Sequence, residues 1–296
     1  MKLSSGWAWR RGQRRDAAST GFGDSVLAPA ARRESRRAVR YAWVGGALGG
    51  LFGLVAFAPA HWLAGAVASG TGGRLLLAEA SGTVWQGSAQ VVLTGGAGSR
   101  DAMALPGRMN WTVGLAGTAL AVTARHACCL EGEVKALVRP GLGRVTVSLP
   151  ARPAGLGQWP AAWLGGLGTP WNTLQLGGVA RLSTPGATIE VVQGRWRMDG
   201  SVAAELQGLS SRVSTLDTLG SYRMQLLGGG ASGQAATLQL STIDGALQLS
   251  GSGQWAGPTL RFQGEATAAP GSETALDNLL NIIGRREGAR SLISIG

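Results

Sequence analysis

Residues 235–257 read AATLQLSTIDGALQLSGSGQWAG. Leu238 and Leu240 alternate with polar neighbours before Asp244-Gly245, and Leu247 and Leu249 do the same after it. A two-residue period turns one side of a strand toward a core. Asp-Gly between two such runs is a strong short-range hairpin signal. The stretch therefore predicts an antiparallel ribbon with one face half buried.

The same pattern continues in both directions. Upstream lie LLLAEASGTVWQGSAQVVLTGG (75–96), GRMNWTVGL (107–115), ALAVTARH (119–126), LEGEVKALV (130–138) and GRVTVSLP (143–150). After a Pro- and Gly-containing interval come LQLGGVARLST (174–184), ATIEVVQGRWRMDG (187–200), SVAAELQGLSSRV (201–213) and SYRMQLLG (221–228). TLRFQGEATAA (259–269) follows the opening ribbon. Short runs at close spacing with turn residues between them point to a meander rather than to alternating strands and helices. The predicted fold is mainly β, a long, curved, half-barrel-like antiparallel sheet. Gly accounts for 49 of 296 residues and charged residues for only 15%, which suits strands and turns better than surface helices.

Two segments depart from this pattern. Ser272 is placed to cap a short C-terminal helix, with Leu276, Leu279, Leu280 and Ile283 on one stripe, Gly284 as its stop and Arg285-Arg286 suited to its C-terminal dipole. SLISIG at the terminus reads as a last strand. Residues 150–170, with Pro150, Pro153 and Pro160, mark a candidate break between two lobes, and AGLGQWPAAWLGGLG (154–168) reads as a short helix on the sheet.

At the other end, Tyr41 to Ala58 holds no charged residue. As a helix it would extend roughly 27 Å, against a bilayer core of ~30 Å. The expected organisation is a disordered basic tail over residues 1–40, a single transmembrane helix over 41–63, and a β domain over 64–296. Ten of the 27 Lys/Arg residues and three of the 16 acidic ones lie in the first 40 positions. Much of the net charge of +11 therefore sits beside the apolar run, where positive charge sets topology and can meet anionic headgroups. A nucleic-acid-binding protein would carry it on one folded surface instead. The tail is expected in the cytoplasm. A cleaved export signal, with Ala56-Phe57-Ala58 as its cleavage site, and a buried soluble helix are the alternatives. Pro59 after the cut and the long basic region disfavour the first. Gly46 and Gly50 form a G-x-x-x-G pair, a face for pairing with another membrane helix.

Residues that carry chemistry are sparse. There are two histidines, His61 and His126, and two lysines, Lys2 and Lys135. No phosphate-binding loop ends in Gly-Lys-Ser/Thr, and no nucleophile elbow stands in a strand–turn–helix setting. No catalytic residue, cofactor or metal is expected. His126, Cys128 and Cys129 could ligate an ion, but structural zinc uses four ligands. The adjacent cysteines read first as small side chains at a strand end, on opposite faces. A bridge between them or an intermolecular thiol is the alternative. The structural candidates are Trp85, Gly87, Trp111 and Trp255, with Trp85 expected in the core.

Four features together resemble the type II secretion system protein N family, also called general secretion pathway protein N. They are the tail with one anchor, Gly82-Thr83-Val84-Trp85-Gln86-Gly87, the strand Arg108-Met109-Asn110-Trp111-Thr112-Val113, and LDNLLNIIGRREGARSLISIG at 276–296. The resemblance implies a single-pass inner-membrane protein, mostly periplasmic, that acts as a non-enzymatic accessory of the machine exporting folded proteins. Its implied partners are other secretion-system membrane proteins, with membrane lipid beside them. The competing function is a carrier of lipid or another hydrophobic ligand in an apolar groove on the sheet. A continuous open trough would favour the carrier; a helix filling it would favour the scaffold.

Overall fold

The computed structural model describes residues 28–230, 234–256 and 259–296. Residues 1–27, most of the expected tail, lie outside the described residues. The chain divides between Val55 and Ala56 into two units.

The boundary falls at the last residue of helix α1, Ala28–Ala56, so the first unit holds all of that helix but Ala56. The helix begins well ahead of the apolar run, so Ala28–Arg40 is helical where the sequence predicts tail. Within it Val39–Ala56 is long and apolar enough to cross a membrane, with a mean hydropathy of 1.3. A Cβ added at Gly46 or Gly50 would meet nothing within 4 Å.

The second unit opens with a short helix, α2, Ala60–Gly70. Pro59 lacks an N–H and disfavours helix in the residue before it, which separates α2 from α1. Trp62 and Leu63, which the sequence places at the end of the anchor, therefore belong to α2.

The strands follow: β1 (Leu75–Gly82), β2 (Gln86–Thr94), β3 (Ala102–Ala104), β4 (Met109–Ala116), β5 (Ala119–His126), β6 (Glu133–Gly141) and β7 (Arg144–Leu149). Then come β8 (Arg152–Pro160), a 3-10 turn (Ala161–Leu167), α3 (Trp171–Leu174), β9 (Leu176–Val192), β10 (Arg195–Ser211) and β11 (Gly220–Gly229). The last elements are β12 (Gln234–Asp244), β13 (Leu247–Ala256), β14 (Thr259–Ala268), α4 (Glu273–Ile283), β15 (Arg285–Glu287) and β16 (Arg290–Ile295). The strands all belong to one open antiparallel sheet, ordered β1-β2-β4-β5-β6-β7-β9-β10-β11-β12-β13-β14-β16-β15, with β3 beside β2 and β8 beside β9.

Three local readings change. The ladder passes directly from β7 to β9, so it continues across residues 150–170. Within that interval Gly157–Pro160 pairs with Leu182–Val179 as strand; only Ala161–Leu167 is helical, as a 3-10 turn. Gly155, Gly157 and Pro160 are poor residues for a longer helix. The runs 174–184 and 187–200, quoted separately above, join within one 17-residue strand through an irregularity at Thr184-Pro185-Gly186. The Thr184 hydroxyl donates to Ser201 O at 2.6 Å and accepts from Gly186 N–H at 3.0 Å, replacing the ladder bonds that Pro185 cannot make.

Register fixes two faces. Gln225, Gln239, Ser252, Gln263 and Ser294 pair in one row, and Glu205 pairs with Arg223 two residues along. The intervening positions form the other face: Leu226, Leu238, Gly253, Phe262 and Ile295 pair in their own row. The apolar face carries three buried clusters. One joins α2 to β1, β2 and β4 through Ala60, Leu77, Ala89, Val91 and Trp111. A second packs α4 on the sheet: Leu276, Leu279 and Leu280 against Leu209, Tyr222, Leu247 and Ala266. The third, around Ala187, Met198 and Ala236, draws its packed residues from strands.

The stripe expected for α4 is observed, but Ser272 makes no side-chain cap bond; its carbonyl accepts from Leu276 N–H at 3.1 Å. Arg286 reaches back to Asp277 at 3.0 Å. The Asp244-Gly245 hairpin forms as expected. The Thr242 hydroxyl and Leu249 backbone exchange two hydrogen bonds across its base.

Candidate functional site

The six-residue stretch Gly82–Gly87 makes the turn between β1 and β2. Gly82 pairs with Gly87 and has φ +90, a left-handed conformation suited to glycine. Thr83 closes the turn: its N–H donates to Gln86 O at 2.8 Å, and its hydroxyl accepts from Gln86 N–H at 3.1 Å. The exposed backbone of the turn then captures the segment ahead of α2. Val84 N–H donates to Ala58 O at 2.8 Å, and Pro59 bridges Thr83. From the other side the Trp111 indole N–H donates to Val84 O at 3.1 Å, while Val113 N–H donates to Trp85 O at 2.7 Å.

Gly87 is required by Trp111. A Cβ at Gly87 would lie 2.6 Å from Ser81 O and inside the contact surface of the Trp111 ring. Trp111 is 3% exposed, whereas Trp85 is half-buried. The core aromatic of this joint is thus Trp111, one strand away from the tryptophan expected there. Strand alternation sends Trp111 to the apolar face along with Met109 and Val113. Trp85 lies in the turn, where period-two reading does not apply.

The structure brings Trp85, Gly87 and Trp111 together. Trp255 stands apart on β13, edge-to-face with Trp196 at 5.4 Å between ring centroids. Both are half-buried in the strand-only cluster. Gly46 and Gly50 belong to α1. Sequence reasoning missed Tyr222, 1% exposed, whose hydroxyl donates to Leu247 O at 2.9 Å. A lone tyrosine inside a strand run gave no signal of this. Burial pushes its phenol well above its ordinary value.

The polar face is ion-paired. Arg223 meets Glu205 at 2.8 Å, and this hydrogen bond holds the Glu205 carboxyl below its ordinary value. Arg144–Glu190 and Arg125–Glu133 pair likewise. Gln239, Ser241, Ser250, Ser252 and Gln263 line a groove of about 630 Å³ between them. Hydroxyl and carboxamide groups can hydrogen-bond a partner's backbone, but no nucleophile–base pair is assembled in it.

The cysteines lie in a turn after β5, not at a strand end. Cys128 and Cys129 are bridged to one another. Cys128 is exposed and Cys129 is 3% exposed. His126, 5% exposed, accepts the Cys128 N–H on Nδ1 at 3.3 Å, and its Nε2 has no hydrogen-bond partner among the described residues. Burial holds the imidazole below its ordinary value.

These features define a mainly β protein with one open antiparallel sheet, a short C-terminal helix and one N-terminal helix fit to cross a membrane. A family model described as type II secretion system protein N matches residues 73–293. The chain belongs to this family and is a type II secretion component. No curated protein and no solved structure matches it.

Proposed function

We propose that the protein is a non-enzymatic, membrane-tethered scaffold of the type II secretion machinery. Val39–Ala56 crosses the inner membrane once, the N-terminus is cytoplasmic and the sheet is periplasmic. Gly46 and Gly50 offer a face for a second membrane helix. The observation that carries the scaffold reading is α4, which sits on the apolar face with Leu276, Leu279 and Leu280 each at most 1% exposed. The trough a carrier would need is filled there, while the polar face, with its hydrogen-bonding side chains, stays open to other secretion proteins. Anchoring is supported by the turn at Gly82–Gly87, which ties Ala58 and Pro59 to the first hairpin.

A second reading, a carrier of lipid or another hydrophobic ligand, draws on the strand-only cluster. Next to it Val191, paired with Trp196, and Val145, paired with Val191, remain 37% and 41% exposed. Photo-crosslinking in intact cells separates the two, with the crosslinker placed in turn at Gln239 on the polar face and at Val191 on the apolar one. The scaffold reading expects secretion-system proteins captured from Gln239. Lipid captured from Val191, with no protein from Gln239, would overturn it.

A further inference from the structure

We propose that His126, Cys128 and Cys129 form a redox-gated binding site for a divalent ion of the zinc class. Their ligand atoms lie within 4.8 Å of one another. Thiolate and imidazole are the donors such ions favour, and three protein ligands leave a fourth position for water. Two further observations single the cluster out. A bridge between residues one apart in sequence closes almost no loop, so it removes little entropy from the unfolded chain and is a weak staple; its chemistry lies elsewhere. In addition, the His126 Nδ1 lone pair is directed at the cysteine turn, where its partner is the Cys128 N–H at a long 3.3 Å. A bound ion can take the place of that N–H.

The bridge is the gate, because sulfurs joined to each other are not thiolates. Cys128 is exposed and open to attack. One thiolate of an external dithiol attacks the Cys128 sulfur, forming a mixed disulfide and expelling Cys129 as thiolate. The second thiol of the reductant, deprotonated, then closes on its own partner sulfur and releases Cys128. The dithiol is oxidised to a cyclic disulfide, and its two electrons and two protons pass to the cysteines. Binding the ion then releases the two thiol protons. The turn is tied to β8, since Cys129 O accepts Gln158 N–H at 3.0 Å and Leu130 bridges Gly157.

The test is Co²⁺ titration of the full-length chain in detergent, before and after anaerobic reduction by a dithiol that is then removed. Reduced protein should show a thiolate-to-cobalt charge-transfer band saturating at one ion per chain, and bridged protein none. Cys128→Ser, at an exposed position, should weaken binding and about halve the band, with no dependence on prior reduction and an unchanged circular dichroism spectrum. His126→Gln should weaken binding at least ~10-fold, the low end of what losing even an outer-shell partner costs. No band after reduction, an equal band in the bridged protein, or full affinity in His126→Gln would each overturn the proposal. Because Cys128→Ser and the wild-type redox pair suffice, misfolding of the His126 variant would leave the test intact.

Discussion

The two helix-covered regions of the apolar face are closed by different means. Over β1, β2 and β4 the closure is a joint in which one aromatic ring, Trp111, fits over a glycine and hydrogen-bonds the turn that holds Ala58 and Pro59. Over β10, β11, β13 and β14 it is an amphipathic helix whose three leucines share the load. A joint with one central side chain is easily broken by one substitution. A stripe of leucines spreads the same burial over several positions, each truncation leaving the others in place.

The largest expected effect tests that contrast. Trp111→Ala removes a buried aromatic and an indole hydrogen bond, and should cost ~3–5 kcal/mol. Leu280→Ala should fall at or below that, within ~2–5 kcal/mol. Denaturant melts of both variants give the order. If Leu280→Ala proved the costlier, the joint would not be the more fragile closure.

A smaller effect sharpens the account of the joint itself. Gly87→Ala places a methyl against the Trp111 ring and Ser81 O and should destabilise by about 1–3 kcal/mol. Gly114→Ala, where a Cβ meets nothing within 4 Å and φ is not left-handed, gives the control and should be neutral or stabilising by up to ~1 kcal/mol. Equal losses in thermal melts would mean that the ring is not what excludes a side chain at Gly87.

The smallest effect belongs to the α4 closure and appears only in alkali. An unfolded Tyr222 ionises from its ordinary value of 10.0, while the buried phenol keeps its proton well above that. The folded state then binds more protons, so stability is full below pH 10 and declines as pH rises beyond it. Urea midpoints on either side of pH ~10 should show this slope, and Tyr222→Phe should flatten it. An unchanged slope in the variant would place the alkaline loss elsewhere.

What was legible in the sequence was periodic. The Leu238–Leu249 ribbon, the α4 stripe and the apolar run before Pro59 each repeat along a single element, and each forms. What was not legible depends on partners distant in sequence. Trp85 and Trp111 look alike in isolation; only the pairing of Gly87 with Trp111 across β2 and β4 shows which enters the core. The runs on either side of Pro185-Gly186 look separate in the sequence. Their continuity rests on a hydroxyl reaching Ser201, 17 residues away. The cysteine pair suggested strand alternation, but a turn holds it, and the orientation of His126 toward it follows from the fold around β5. The Gly82–Gly87 turn was legible as a motif, and its grip on Ala58 and Pro59 was not.

The long strand β9 seats two others end to end along the same edge, β8 beside residues 179–184 and β7 beside 187–192. The polypeptide from Pro150 to Gln175 is thereby a detour: a seam stays sewn on either side of it. Were β8 to come away, the hydrogen-bonded fabric would still run unbroken from one border strand to the other.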